Sequence, residues 1–172
     1  MNTVLTRVLL LCYGNPGRLD DGLGATFSRK IEKFELPGVM VEADYQLTVE
    51  DAAQIAENDV VVFVDAAVNG QEPFSFQRIE PVPTISFTSH SIEPESLLAL
   101  AKQLFGGETT GYALGIRGYK FNEFGEVLSA KASRNLKAAV TFLEPVLRKS
   151  SFTEAEMLMK KTVDNGGKNA ER

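Results

Sequence analysis

The chain contains no tryptophan, one cysteine and one histidine among its 172 residues. It also has no apolar run approaching the roughly 20 residues that span a bilayer. A single cysteine excludes an intramolecular disulfide and a thiolate cage for a metal. Cys12 lies inside the apolar run Val8-Leu9-Leu10-Leu11-Cys12, so a buried structural thiol in a reducing compartment is expected rather than a nucleophile. Basic residues are outnumbered, with 18 Lys and Arg against 23 Asp and Glu, a net charge of −5. Apart from Arg148-Lys149 and Lys160-Lys161 they do not cluster, which argues against a phosphate-backbone binder and hence against nucleic acid. No Walker phosphate loop, no GxSxG nucleophile elbow and no internal repeat is present. The N-terminal apolar run has little positive charge before it and a glycine-rich turn after it rather than a small-residue cleavage site. The expectation is a cytoplasmic protein without a membrane segment.

What is present is enough apolar residues, 44%, for one substantial core. We read residues 1–149 as a single α/β domain and residues 150–172 as a polar, flexible tail. The first strand, near Val8–Cys12, is continuously apolar, as a strand covered on both faces must be. Leu23, Phe27, Ile31 and Phe34 then recur at helical spacing. Val39-Met40-Val41-Glu42-Ala43 predicts a second strand ending at Asp44. Thr48 and Asp51 predict a capped helix start. Val60-Val61-Val62-Phe63-Val64, with four β-branched residues, predicts a buried strand running directly into Asp65. This alternation predicts a parallel sheet with crossover helices.

After Asn69-Gly70 the pattern breaks into Phe74–Ile79 and Thr84–Phe87, interrupted by Pro81 and Pro83, which suits an edge strand or a connection. A helix follows Pro94, with Leu97, Leu98, Ala101, Leu104 and Phe105 on its apolar side, and stops at Gly106-Gly107. Tyr112–Ile116 reads as a strand. Leu128 to Leu143 reads as a last helix, which Pro145 should end or kink.

The residues able to carry chemistry fall at strand-to-helix junctions, which a parallel sheet brings to one edge. Tyr13-Gly14-Asn15-Pro16-Gly17-Arg18-Leu19-Asp20-Asp21-Gly22-Leu23-Gly24 links the first strand to the first helix, Asp65 ends the third strand, and His90, between Ser89 and Ser91, precedes the helix at Pro94. Two carboxylates and an imidazole form a partial shell for a divalent ion with open positions. Each residue also has an ordinary alternative: Asp20 or Asp21 as a helix cap, Asp65 as a turn cap, and His90 as an exposed loop histidine. Gly22-Leu23-Gly24 begins like a dinucleotide fingerprint. Phe27, however, stands where the third glycine belongs, and the two aspartates would repel a pyrophosphate.

Gly14-Asn15-Pro16, Asp20-Asp21-Gly22-Leu23-Gly24, Val62-Phe63-Val64-Asp65-Ala66 and Ser89-His90-Ser91 with its leucine-rich helix, in this order, resemble the hydrogenase maturation protease family. These endopeptidases trim the C-terminus of the nickel-iron hydrogenase large subunit. The resemblance spans roughly residues 4 to 147 and implies a three-layer sandwich, a mostly parallel, twisted five-stranded sheet with helices on both faces. It implies an aspartic-type endopeptidase whose acidic residue, aspartate and histidine form a metal triad, here Asp21, Asp65 and His90. The first position is often glutamate in the family and is aspartate here. The metal would be nickel, delivered within the precursor, with no organic cofactor. The partner would be the hydrogenase large-subunit precursor.

Asp20 is expected to cap the helix or orient Asp21. Asn15 shapes the turn and, with Asp44, Gln46 and Arg117, is a candidate for contacting substrate. From another functional class, a non-catalytic nickel-sensing chaperone or scaffold would use the same residues.

Overall fold

A computed structural model describes residues 5–83 and 92–167. The strands are β1 (Val8–Tyr13), β2 (Val39–Asp44), β3 (Val60–Ala67), β4 (Phe74–Ile79) and β5 (Thr110–Arg117). The helices are α1 (Leu23–Glu32), α2 (Asp51–Ala56), α3 (Pro94–Phe105), α4 (Ala130–Lys149) and α5 (Phe152–Gly167), and a short 3-10 turn, Leu19–Gly22, leads into α1. The sheet order is β2-β1-β3-β5-β4. Its first four strands are parallel, and β4 pairs antiparallel with β5 at the edge. This is the expected α/β sandwich, with Phe74–Ile79 as its edge strand. Thr84–Phe87 lies outside the described residues.

Because every central strand is covered on both sides, alternate side chains enter two separate cores. Val8, Leu10, Cys12, Val60, Val62 and Val64 point toward α1 and α4, where Leu23, Phe27, Ile31, Leu136 and Leu143 meet them. Leu9, Leu11, Val61 and Phe63 point the other way, onto Ile55 of α2 and Leu97 and Leu98 of α3. Burying each of these large side chains contributes about 1.5–3 kcal/mol. Cys12 is one of them, and burial followed by the nearby Glu32 charge pushes its thiol well above the ordinary range. It is thus the structural thiol expected.

Several elements differ from the sequence expectation. α1 stops at Glu32, leaving Phe34 beyond it and 43% exposed. In α3, Leu104 and Phe105 are exposed rather than on the apolar side, and Gly106 closes the helix in the left-handed region. Half of the expected cap on α2 closes: Asp51 Oδ2 accepts the Thr48 N–H at 2.7 Å. Pro145 sits inside α4, which runs on to Lys149. The buried Val146 and Leu147 hold that last turn helical despite the missing N–H. Within the stretch 150–172, expected to be a polar, flexible tail, Phe152–Gly167 forms α5. Phe152 stacks on Tyr112 with ring centroids 5.4 Å apart, and Phe152 and Ala155 are buried in the core beside β4. The tail is polar because only one face of α5 meets the sheet. No helix among the described residues is long and apolar enough to cross a membrane.

Candidate active site

The parallel strands end together, so Tyr13, Asp44, Ala67 and Arg117 lie along one carboxyl edge. From β1 the chain moves outward to β2 by way of α1, then returns across β1 to β3 by way of α2. The crevice between the ends of β1 and β3 is therefore the point at which the winding reverses, where open α/β sheets bind ligands. Asp65 stands at the end of β3 on one side of this crevice, and the turn carrying Asp20 and Asp21 leaves β1 on the other.

The turn is tightly built. Gly14 has φ +129°, and a methyl group added there would meet the Asp21 carbonyl oxygen at 2.2 Å. Asn15 folds the next residues, its Oδ1 accepting the Gly17 N–H at 2.8 Å. The Asn15 N–H in turn donates to Asp21 Oδ2 at 2.8 Å. Gly24 lets α1 lie directly on β1, since a side chain there would come within 2.4 Å of the Tyr13 carbonyl oxygen. These glycines thus serve close packing, and an amide that a phosphate would need already serves a carboxylate. The dinucleotide reading fails on both counts.

Asp65 is half-buried, and its Oδ1 accepts the Ala66 N–H at 2.7 Å. Burial pushes its carboxyl up from 3.8 to about 7 against that hydrogen bond, and the charges of Asp21 and Glu93 push in the same direction. Asp21 and Glu93 are thus the charges that act on Asp65. His90 and its flanking serines lie outside the described residues. Among the described residues, no group of three His, Cys, Asp or Glu side chains is placed to hold a metal ion.

The two adjacent aspartates of the turn have separate tasks. Asp20 is fully buried, yet neither the 3-10 turn nor α1 has a side-chain cap at its N-terminus. The helix-cap expectation for Asp20 is therefore corrected. Its Oδ2 accepts the Tyr119 and Lys120 N–H groups at 2.8 and 3.0 Å and the Ser129 hydroxyl at 2.7 Å, while Oδ1 accepts the Ser129 N–H at 2.7 Å. Burial alone would raise its pKa, but these four donors together hold it below the ordinary value.

The remaining candidates scatter along the edge. Asp44 and Gln46 line a cavity of about 200 Å³ with Tyr13, Glu42 and Asp51. The Asp44 Oδ1 accepts the Tyr45 N–H at 2.6 Å. Arg117 ends β5 opposite Ala67, two residues beyond Gly115, the register partner of Asp65. Its guanidinium lies 5.3 Å from the centre of the Tyr119 ring, and its buried Nε has no hydrogen-bond partner among the described residues.

Sequence reasoning missed two neighbours. Tyr13 lies on the Asp65 face of the sheet; burial, then Asp65, Glu93 and Glu95, push its hydroxyl up. Glu93 precedes α3 and accepts the Ser96 and Leu97 N–H groups through its carbonyl. Strand parity could have placed Tyr13 with Asp65, since Leu9, Leu11 and Tyr13 share a face.

No protein-family model and no curated protein sequence matches this chain. Among solved structures it is similar to the [NiFe] hydrogenase maturation protease HycI from Thermococcus kodakarensis KOD1, with TM-score 0.65 and 21% identity over 83% of this chain and 93% of that one. It is also similar to the hydrogenase maturating endopeptidase HybD from E. coli, with TM-score 0.63 and 21% identity over 84% and 93%. A third is the endopeptidase HycI from Escherichia coli, with TM-score 0.60 and 22% identity over 81% and 90%. The likeness covers 81–84% of this chain, and it establishes that this chain has the fold of these hydrogenase maturation proteases.

Proposed function

We propose that the chain is a hydrogenase maturation endopeptidase that removes the C-terminal extension of a nickel-loaded [NiFe] hydrogenase large-subunit precursor. What supports this reading is a fold shared with proteases of that description, with Asp65 on β3 and the Asp21 turn after β1 at the same sheet edge and the Asp21 charge among those that raise the Asp65 carboxyl. Asp21, Asp65 and His90 would complete the coordination of the nickel that arrives as part of the substrate. The donor set suits transient capture. Burial holds the Asp65 carboxyl above its ordinary range, which disfavours its charge until a cation arrives. A cation held beside the scissile bond supplies Lewis acidity toward the carbonyl or a water.

The chain's own residues do the positioning. Asn15 orients the Asp21 carboxylate, and the Ala66 N–H orients that of Asp65. Gly115, the register partner of Asp65, lets β4 pack close, since a methyl group placed there would stand 3.0 Å from the Ser75 hydroxyl. Asp44, Gln46 and Arg117 flank the path.

The test is to incubate the full chain with nickel-loaded and nickel-free precursor and follow the large subunit by mass spectrometry. Shortening that requires nickel supports the reading. Stable binding with no shortening would instead assign a nickel-sensing chaperone.

A further inference from the structure

The geometry points to Asp20 as the positioning residue of the site: by clamping the segment 118–129 onto the turn, its carboxylate aims Asp21 at Asp65. This inference rests on the protease reading for its kinetic arm and on geometry alone for its structural arm. Asp20 and Asp21 are consecutive in one 3-10 turn, and their carboxylates take different partners. Asp21 is tied to Asn15 at the crevice, while Asp20 points back into the protein, where four donors of residues 119, 120 and 129 fix both its oxygens.

The backbone repeats the fastening. Asp20 N–H donates to the Lys120 carbonyl at 3.0 Å, Leu19 N–H to that of Gly125 at 2.7 Å, and Gly125 N–H to that of Gly17 at 2.9 Å. The approach is close enough to require glycine, because a methyl group at Gly118 would stand 2.9 Å from Asp20 Cβ. Leu19, held by this strap, has φ +51°, a left-handed conformation that non-glycine residues rarely adopt. The turn therefore takes its shape from the strap and not from its own preferences.

A buried carboxylate is a poor choice for adding stability alone, since apolar packing does that without the cost of desolvating a charge. Four convergent donors instead leave the carboxylate a single orientation. The residue after it then inherits a fixed direction, which is what a ligand held to within a fraction of an ångström requires.

Three variants of the full chain test this, Asp20→Asn, Ser129→Ala and Ser129→Thr. Asp20→Asn sets an amide donor against one of the donors, and Ser129→Ala removes one of the four. Hydrogen exchange of the Asn15 amide, which is bonded to Asp21 Oδ2, reads the placement of Asp21. The amides of Val61 to Val64 in β3 read the fold.

In Asp20→Asn we expect Asn15 exchange and kcat for precursor processing to change by about 10- to 100-fold, with KM and β3 exchange near wild type. Ser129→Ala should show a smaller change of the same pattern, and Ser129→Thr should restore it. Exchange that quickens equally at Asn15 and in β3, or an unchanged Asn15 amide with unchanged kcat, would overturn the assignment. If Asp20→Asn does not fold, the two Ser129 variants decide. If the wild-type chain leaves nickel-loaded precursor uncut, the protease reading fails, while the exchange measurements still decide whether Asp20 positions Asp21.

Discussion

Replacing Asp65 by asparagine should stabilise the protein while removing its activity, and the stabilisation should depend on pH in a defined way. Asn is nearly isosteric and its Oδ1 can still accept the Ala66 N–H, so the change removes the charge and little else. Burial, with Asp21 and Glu93 nearby, raises the Asp65 carboxyl from 3.8 to about 7 in the folded protein. The folded state therefore holds this proton roughly a thousandfold more tightly than the unfolded chain, equivalent to about 4 kcal/mol.

The sign follows from linkage. Between these two pH values Asp65 binds more protons in the folded state than in the unfolded one, so the part of the stability that depends on Asp65 is full below pH 4, falls as pH rises through that window and levels off above 7. Asp65→Asn lacks this loss. Its advantage should be near zero at pH 4, grow across the window and reach about 2–4 kcal/mol at pH 8, which for a chain of this size is a rise in Tm on the order of 10 °C. Urea unfolding followed by circular dichroism at pH 4, 6 and 8 measures it. An advantage of equal size at all three values, or none at pH 8, would refute the argument that Asp65 is held in a charge-disfavouring site. Processing of nickel-loaded precursor by the same variant should be lost.

Three further outcomes are expected. His90→Ala should abolish processing with an unchanged circular dichroism spectrum; full activity would remove His90 from the triad. Gly24→Ala should destabilise by about 2–3 kcal/mol in urea unfolding despite the better helix propensity of alanine, because its methyl group would press on the Tyr13 backbone. Phe152→Ala should cost about 3 kcal/mol by the same measurement, since its ring is packed on Tyr112 in the core. A cost near zero would return residues beyond 150 to the status of a tail.

The sequence alone determined those features that depend on local pattern. Continuous apolar runs at Val8–Cys12 and Val60–Val64 announce strands buried on both faces, and their alternation with helical periods leaves few arrangements other than a parallel sheet. Once the strands are parallel, Asp21 and Asp65 must share an edge. The composition likewise argued against a disulfide framework and a nucleic-acid surface.

Tertiary structure decided what depends on distant partners. The extension of α4 past Pro145 rests on burial of Val146 and Leu147, and the ordering of α5 on Phe152 meeting Tyr112; neither contact leaves a trace in local propensity. Most of all, Asp20 and Asp21 are the same residue type side by side, and nothing in their sequence distinguishes them. One accepts the nearby Asn15 N–H and the other is gripped by donors about 100 residues away in the chain, Tyr119, Lys120 and Ser129. That division comes from folding, because the direction of a carboxylate is set by the donors brought to it.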